Sequence, residues 1–250
     1  GIAILGPGCG AQACGETGDG RMLEPEELFE LLENFFAPKL LAGKRVVMTA
    51  GPTFEPIDAV RGITNSSSGK MGYAIARAAI AAGADVTLVS GPSAQTAPLG
   101  ARRIDIQSAQ EMLQAVLQHI GTADIFIGVA AVADYAVKNR SAHKIKKSDA
   151  DLSIELTPNP DILATVASLP AAPFCVGFAA ESQNLLQYAD EKRRRKKIPL
   201  LAANLVQSAL GADDNELILL DDAGQHPLPR ASKQVLAHEL IRHVAAMLPN

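Results

Sequence analysis

The sequence predicts an α/β fold: a mainly parallel sheet with helices on both faces, preceded by a short loop-helix segment. Three observations predict it. From Lys44 onward, short apolar β-type runs alternate with longer alanine-rich or amphipathic stretches. The run over residues 124–131 is apolar almost throughout, as expected of a strand covered on both faces. Two other runs close on Gly51-Pro52 and Gly91-Pro92, which punctuate the ends of strands. Parallel strands need crossover connections, so this alternation gives a Rossmann-like sheet whose ligands sit beyond the carboxyl ends of the strands.

Taken in order, residues 1 to about 22 are glycine-rich (Gly6, Gly8, Gly10, Gly15, Gly18, Gly20) and read as a loop. Their start, Gly-Ile-Ala-Ile-Leu, has no basic leader and reads like a cut through a longer protein. Pro25, Glu26 and Glu27 then open a short amphipathic helix to about residue 36, striped by Leu28, Leu31, Leu32 and Phe35. Pro38 marks a linker, so the expected division is a short segment over 1–42 and a main domain over 43–250. Within that domain the expected strands are 45–50, 85–90, 124–131, 174–179, 200–203 and 216–220. The helices between them are 70–82, stopped by Gly83, one opened by the Ser108/Glu111 capping box, and 185–197. Leu236, Leu240, Val244 and Met247 stripe one face of a last helix.

Composition narrows the function. The 250 residues are 48% hydrophobic and 20% charged, with a net charge of -4. That balance argues against general attraction to nucleic acid, and the absence of tryptophan removes the best stacking platforms. No apolar run is long enough to cross a membrane. Cys9, Cys14 and Cys175 are odd in number and widely split, which fits a reducing cytoplasm better than a disulfide framework. Cys9 and Cys14 also lack the spacing and partners of a zinc site.

Two motifs mislead. The stretch from Gly62 to Lys70 suggests a P-loop, but Thr64 stands where its first glycine belongs and Met71 where its magnesium-binding hydroxyl belongs. Tyr188 and Lys192 have the spacing of a short-chain dehydrogenase pair, without the glycine-rich dinucleotide turn after the first strand. What remains at residues 65–72 is a run of small hydroxyl residues and glycine leading into a helix, whose free backbone N–H groups suit phosphate. The plain alternative is that Ser67 or Ser68 caps that helix. Lys144, Lys146 and Lys147 make a basic loop, and residues 192–197 are six consecutive cations. Both are ordinary as solvated charge. Lys192 and Lys196, however, share one helical face, and with Lys144 they can hold a polyphosphate. Asp134, just after an apolar strand, stands where open sheets contact a ribose or a metal.

In order along the chain stand Ala50-Gly-Pro-Thr-Phe-Glu-Pro-Ile-Asp58, Val60-Arg-Gly-Ile-Thr-Asn-Ser-Ser-Ser-Gly-Lys-Met-Gly72, Ala130-Ala-Val-Ala-Asp-Tyr135, Lys144-Ile-Lys-Lys147, Asn159-Pro-Asp161 and Val176-Gly-Phe-Ala-Ala-Glu181. This series closely resembles the bacterial phosphopantothenoylcysteine synthetase domain over about residues 43–248. Residues 1–36 resemble the tail of the decarboxylase to which that domain is fused, whose Ala-Cys-Gly-(Glu/Asp)-x-Gly-x-Gly-Arg-Met segment appears at residues 13–22. The resemblance implies a ligase of coenzyme A synthesis. CTP would activate the carboxylate of 4'-phosphopantothenate as an acyl-cytidylate, and L-cysteine would attack it, with Mg2+ on the phosphates.

Carried over position by position, the resemblance makes Gly128, Val129 and Ala130 line the nucleotide and Asp134 contact it. Pro160, Asp161, Ile162, Leu163 and Phe178 surround it. Lys144, Lys192 and Lys196 match nucleotide-binding lysines, and Asn65 contacts the acyl-cytidylate. Lys144 and Asn65 are thus the catalytic candidates. Cys14 matches a proton donor of the decarboxylase, inactive here because the FMN-binding body of that enzyme is absent from this sequence. A homodimer is implied, with sites near the interface. Two other readings share the sheet: a nucleotide-dependent oxidoreductase, and a non-catalytic nucleotide-binding module that would not need Asn65.

Overall fold

Alternation of side chains between two apolar faces builds the sheet. On the strand Arg45–Ala50, Val46, Met48 and Ala50 enter one core while Val47 enters the other. On Ile125–Gly128, Ile125 and Ile127 face the first core and Phe126 the second. Both faces must therefore be roofed by helices. The computed structural model describes residues 2, 4–12, 15–147, 151–181, 184–205 and 213–249.

In chain order the elements are β1 (Gly8–Ala11), β2 (Thr17–Arg21), α1 (Pro25–Phe36), β3 (Arg45–Ala50), β4 (Phe54–Pro56), β5 (Gly62–Thr64), α2 (Lys70–Ala81), β6 (Asp85–Ser90) and β7 (Arg102–Asp105). There follow α3 (Ala109–Ile120), β8 (Ile125–Gly128), β9 (Tyr135–Val137), β10 (Leu156–Pro158), α4 (Ile162–Ala167), β11 (Phe174–Glu181) and α5 (Leu185–Lys196). The chain closes with β12 (Leu200–Leu205), β13 (Asp214–Asp221), β14 (Gly224–Ser232) and α6 (Lys233–Met247).

The main sheet runs β14-β13-β12-β11-β8-β3-β6-β7. From β7 to β12 all neighbours are parallel, and β13 and β14 add an antiparallel edge. Numbered by their own succession, the parallel strands stand 3-2-1-4-5-6, the doubly wound order whose direction reverses between β3 and β8. Helices α2 and α6 roof one face, and α3, α4 and α5 the other. At its amino end, α2 rides close on β3: a Cβ on Gly72 would fall 2.6 Å from that of Ala50.

Several sequence expectations change here. Residues 1–22 are not simply loop: β1 and β2 pair antiparallel. Backbone hydrogen bonds form that ladder without apolar alternation, so the pattern gave no sign of it. β7 and β14 were also unforeseen. β7 is Arg-Arg-Ile-Asp, and β14 carries Pro227 and Pro229, which lack the N–H that a strand paired on both sides needs. Both accordingly stand at the sheet edges. Helix α1 forms where expected but buries none of its residues. It leans on the domain through Glu30, which accepts from the Leu99 amide at 3.1 Å and faces Arg77 at 3.7 Å, while Phe29, Phe35 and Phe36 stay exposed.

Candidate active site

At the reversal point the carboxyl ends of β3 and β8 part, and the chain after each is stapled to the other. Ala131 N donates to Gly51 O at 2.9 Å, and Thr53 N donates to Ala131 O at 3.2 Å. Thr49 and Thr53 take the neighbouring amides on their hydroxyls, from Ala130 at 3.2 Å and Ala133 at 3.0 Å. The segment 129–134 thus lies fixed along the floor of a cleft of about 790 Å³, large enough for a nucleotide and a second small molecule.

The α2 end of this cleft is built for anions. Its first residue is preceded by Gly69 at φ 79°, and no side chain caps it. A left-handed N-cap suits glycine, which has no Cβ to clash. Neither Ser67 nor Ser68 is the cap; Ser67 Oγ instead accepts from the Gly69 amide at 3.3 Å. The amides of Lys70, Met71 and Gly72 precede the first helical bond, from Tyr73 N to Gly69 O, and add to the positive end of the helix dipole.

Asn65 stands beside them. Its Nδ2 donates to the Ala131 carbonyl at 2.8 Å, which fixes which end of the amide faces the cleft. Opposite, Asp161 caps α4 by accepting from Ala164 N at 3.0 Å and holds Lys196 at 2.8 Å. Burial works against the Asp161 carboxylate, but the Lys196 and Ala164 hydrogen bonds and the charges of Lys196 and Lys192 prevail and lower its pKa. Lys192 Nζ donates to the Phe178 carbonyl at 3.0 Å. Asn159 closes this wall, donating through Nδ2 to Ala133 O at 2.9 Å.

The structure therefore brings to one cleft Asn65, Gly128 to Ala130, Asp134, Pro160 to Leu163, Phe178, Lys192 and Lys196. Lys144 is not among its walls. It is exposed on a loop whose next residue, Ile145, is tied to Asp58 by its amide at 3.0 Å and to Arg61 by its carbonyl at 3.0 Å. Cys14 lies outside the described residues.

Sequence reasoning missed part of the cleft. Lys70 lines it while held to Asp213 at 2.5 Å. Lys233, at the start of α6, is buried in it, and burial, reinforced by the Lys70 charge, lowers its pKa against the pull of Asp213 and Asp214. Asn215, 3% exposed, lines it too, and its Oδ1 has no hydrogen-bond partner among the described residues. Lys70 stood inside the flagged run 65–72 without a role of its own, and Ser232, which caps α6, could have marked Lys233 as the start of a helix.

The family described as "DNA/pantothenate metabolism flavoprotein C-terminal domain" matches residues 41–248. Among curated proteins, the "Coenzyme A biosynthesis bifunctional protein CoaBC" of Vibrio cholerae is 54% identical over 243 residues, covering 95% of this chain and 61% of that protein. Its namesake in Escherichia coli K12 is 44% identical over 252 residues, covering 98% of this chain and 62% of that one. The chain thus spans a little over three fifths of the length of these relatives. Among solved structures, the C-terminal domain of a protein of the same name superposes with a TM-score of 0.73 at 40% identity, covering 84% of this chain and 97% of that one. The match over residues 41–248 takes in every described wall of the cleft, and by it the chain belongs to the family of DNA/pantothenate metabolism flavoprotein C-terminal domains.

Proposed function

We propose that this chain ligates 4'-phosphopantothenate to L-cysteine at the expense of CTP. The observation that carries this reading is the joining, in one cleft, of an uncapped helix end, four lysines (Lys70, Lys192, Lys196, Lys233) and the oriented Asn65 amide. The names of the curated relatives support the pathway, coenzyme A synthesis.

A carboxylate is a poor acyl donor, so it first displaces pyrophosphate from the α-phosphorus of CTP. The new acyl–oxygen–phosphorus link makes CMP the leaving group when the cysteine amine attacks the carbonyl carbon. Charge builds on phosphate oxygens in the first step and on CMP in the second. The α2 amides would take that charge directly, and the lysines would take it by exchanging their present partners, Asp213, Asp161 and the Phe178 carbonyl among them, for phosphate oxygens. Asn65 adds a neutral amide that can hydrogen-bond an acyl-phosphate. Mostly backbone groups at Ala130 to Asp134 and Asn159 to Leu163 are left to read the cytosine edge. Among the described residues the cleft walls carry two carboxylates, and with Asp161 held by Lys196 and Ala164, Asp134 would be the one to meet Mg2+. Mg2+ would screen the triphosphate and steady pyrophosphate as it leaves.

The same reading makes residues 43–250 the ligase domain and 1–42 the tail of a decarboxylase whose FMN-binding body lies elsewhere, in a cytoplasmic enzyme. No helix among the described residues is long and apolar enough to cross a membrane. A homodimer is part of the proposal, supported by exposed Val60, Tyr135, Leu152 and Leu156 around the two small hairpins β4-β5 and β9-β10. Sedimentation tests that state. Nucleotide choice tests the activity: with 4'-phosphopantothenate and cysteine present, CTP should yield CMP and pyrophosphate well ahead of ATP. Equal turnover would remove the CTP assignment, and thermal stabilisation by NADPH alone would favour an oxidoreductase.

A further inference from the structure

Away from the cleft, at the other end of the sheet, three metal-ligating side chains converge. Asp221 ends β13, His226 stands on β14 and His243 on α6. Each imidazole meets its own oxygen of the buried carboxylate: His226 Nε2 lies 3.0 Å from Oδ1, and His243 Nε2 2.9 Å from Oδ2. The ring centroids are 4.7 Å apart, and one donor atom from each of the three residues lies within 4.8 Å of the others. Asp221 Oδ1 also accepts from the amides of Ala223 at 2.8 Å and Gly224 at 3.0 Å. The carboxylate is therefore oriented before anything binds.

We propose that Asp221, His226 and His243 bind one divalent transition-metal ion of the zinc class, clipping the β13–β14 hairpin to α6. Two imidazole nitrogens and one carboxylate oxygen are a donor set such ions prefer, with water completing the shell. Around tetrahedral zinc, with bonds of about 2.0–2.1 Å, neighbouring donors stand about 3.3 Å apart. The present contacts of 2.9 and 3.0 Å run to different carboxylate oxygens and the three donor atoms lie within 4.8 Å of one another, so binding draws the two rings together onto the carboxylate. Each neutral ring presents its Nε2 lone pair by carrying its proton on Nδ1 instead. Without metal, each Nε2 can donate to its own Asp221 oxygen instead, which holds the three side chains together. The clipped elements also reach the cleft, since Asn215 lies near the start of β13 and Lys233 at the start of α6, about 15 Å along the helix from His243.

The test uses the untagged full chain, stripped by a chelator and titrated with Zn2+ against a chromophoric competitor. The comparison is the double variant His226→Gln/His243→Gln, whose amides can still donate to Asp221 and which keeps all three cysteines. The wild type should take one more equivalent than the double variant, with affinity at least about tenfold weaker in either single variant. Zn2+ should raise the melting temperature of the wild type alone. Equal stoichiometry and equal stabilisation in wild type and double variant would overturn the site and leave a hydrogen-bonded clasp. Should the double variant not fold, Co2+ on the wild type decides: a visible band of nitrogen and oxygen ligation supports the site. A thiolate charge-transfer band alone, or no band, refutes it.

Discussion

Asn65 presents one face of its amide to the cleft because the other is spent on the Ala131 carbonyl at 2.8 Å. A carboxylate of the same shape would lose that bond, oppose the carbonyl oxygen and add like charge beside phosphate. Asn65→Asp should therefore lower ligation by more than about tenfold, roughly 1.4 kcal/mol of transition-state stabilisation, with the fold intact by circular dichroism. Normal ligation would reduce Asn65 to a loop residue. Gly72 acts by having no side chain. A methyl there would meet Ala50 Cβ at 2.6 Å and its Cα at 3.2 Å, between helix and strand. Gly72→Ala should cost about 1–3 kcal/mol by denaturant titration and displace the α2 amides as well. Single residues were partly legible beforehand. Motif residues such as Asn65, Asp161 and Lys196 stood out through their neighbours in sequence. Lys233 and Asn215 did not, because antiparallel pairing brings them to the cleft from distant strands and a late helix.

The basic loop is tethered rather than free. Asp58, 4% exposed, holds Arg61 and accepts from the amides of Val60, Arg61 and Ile145. The Arg61 hydrogen bond, aided by those amides and opposed by burial, keeps the Asp58 carboxyl far below the usual range. A folded pKa depressed in this way stabilises the native state above the ordinary carboxylate value of about 4, and that stability fades as pH falls below it. The stability gap between wild type and Asp58→Asn should thus be widest near neutral pH and shrink on acidification; a gap independent of pH would contradict this tether. Lys144 follows from the same loop. It contributes only if the loop closes on bound triphosphate, so Lys144→Gln should slow pyrophosphate release from CTP and 4'-phosphopantothenate before cysteine is added. Unchanged rates would return it to solvated charge. Among elements, the buried strands and capped helices were legible because apolar period and caps are local properties. The hairpins β1-β2, β4-β5 and β9-β10 were not, since their ladders depend on pairing rather than on apolar pattern.

Over the whole molecule, a doubly wound sheet with its reversal between β3 and β8 opens the cleft to which the proposal assigns both substrates, with four lysines and two carboxylates among its described walls. Strand-helix alternation made that architecture readable in advance, β13 included, while β14 and its antiparallel pairing were not, because Pro227 and Pro229 argue against a paired strand. On the proposed function, one cleft makes and then aminolyses an acyl-cytidylate. Its most direct test is oxygen transfer: 4'-phosphopantothenate labelled with oxygen-18 in its carboxylate, reacted with CTP and cysteine under Mg2+. One label should appear in CMP for each amide formed, because the carboxylate oxygen that attacks phosphorus leaves with it. Amide formed with unlabelled CMP, or with the label in pyrophosphate or free phosphate, would exclude an acyl-cytidylate.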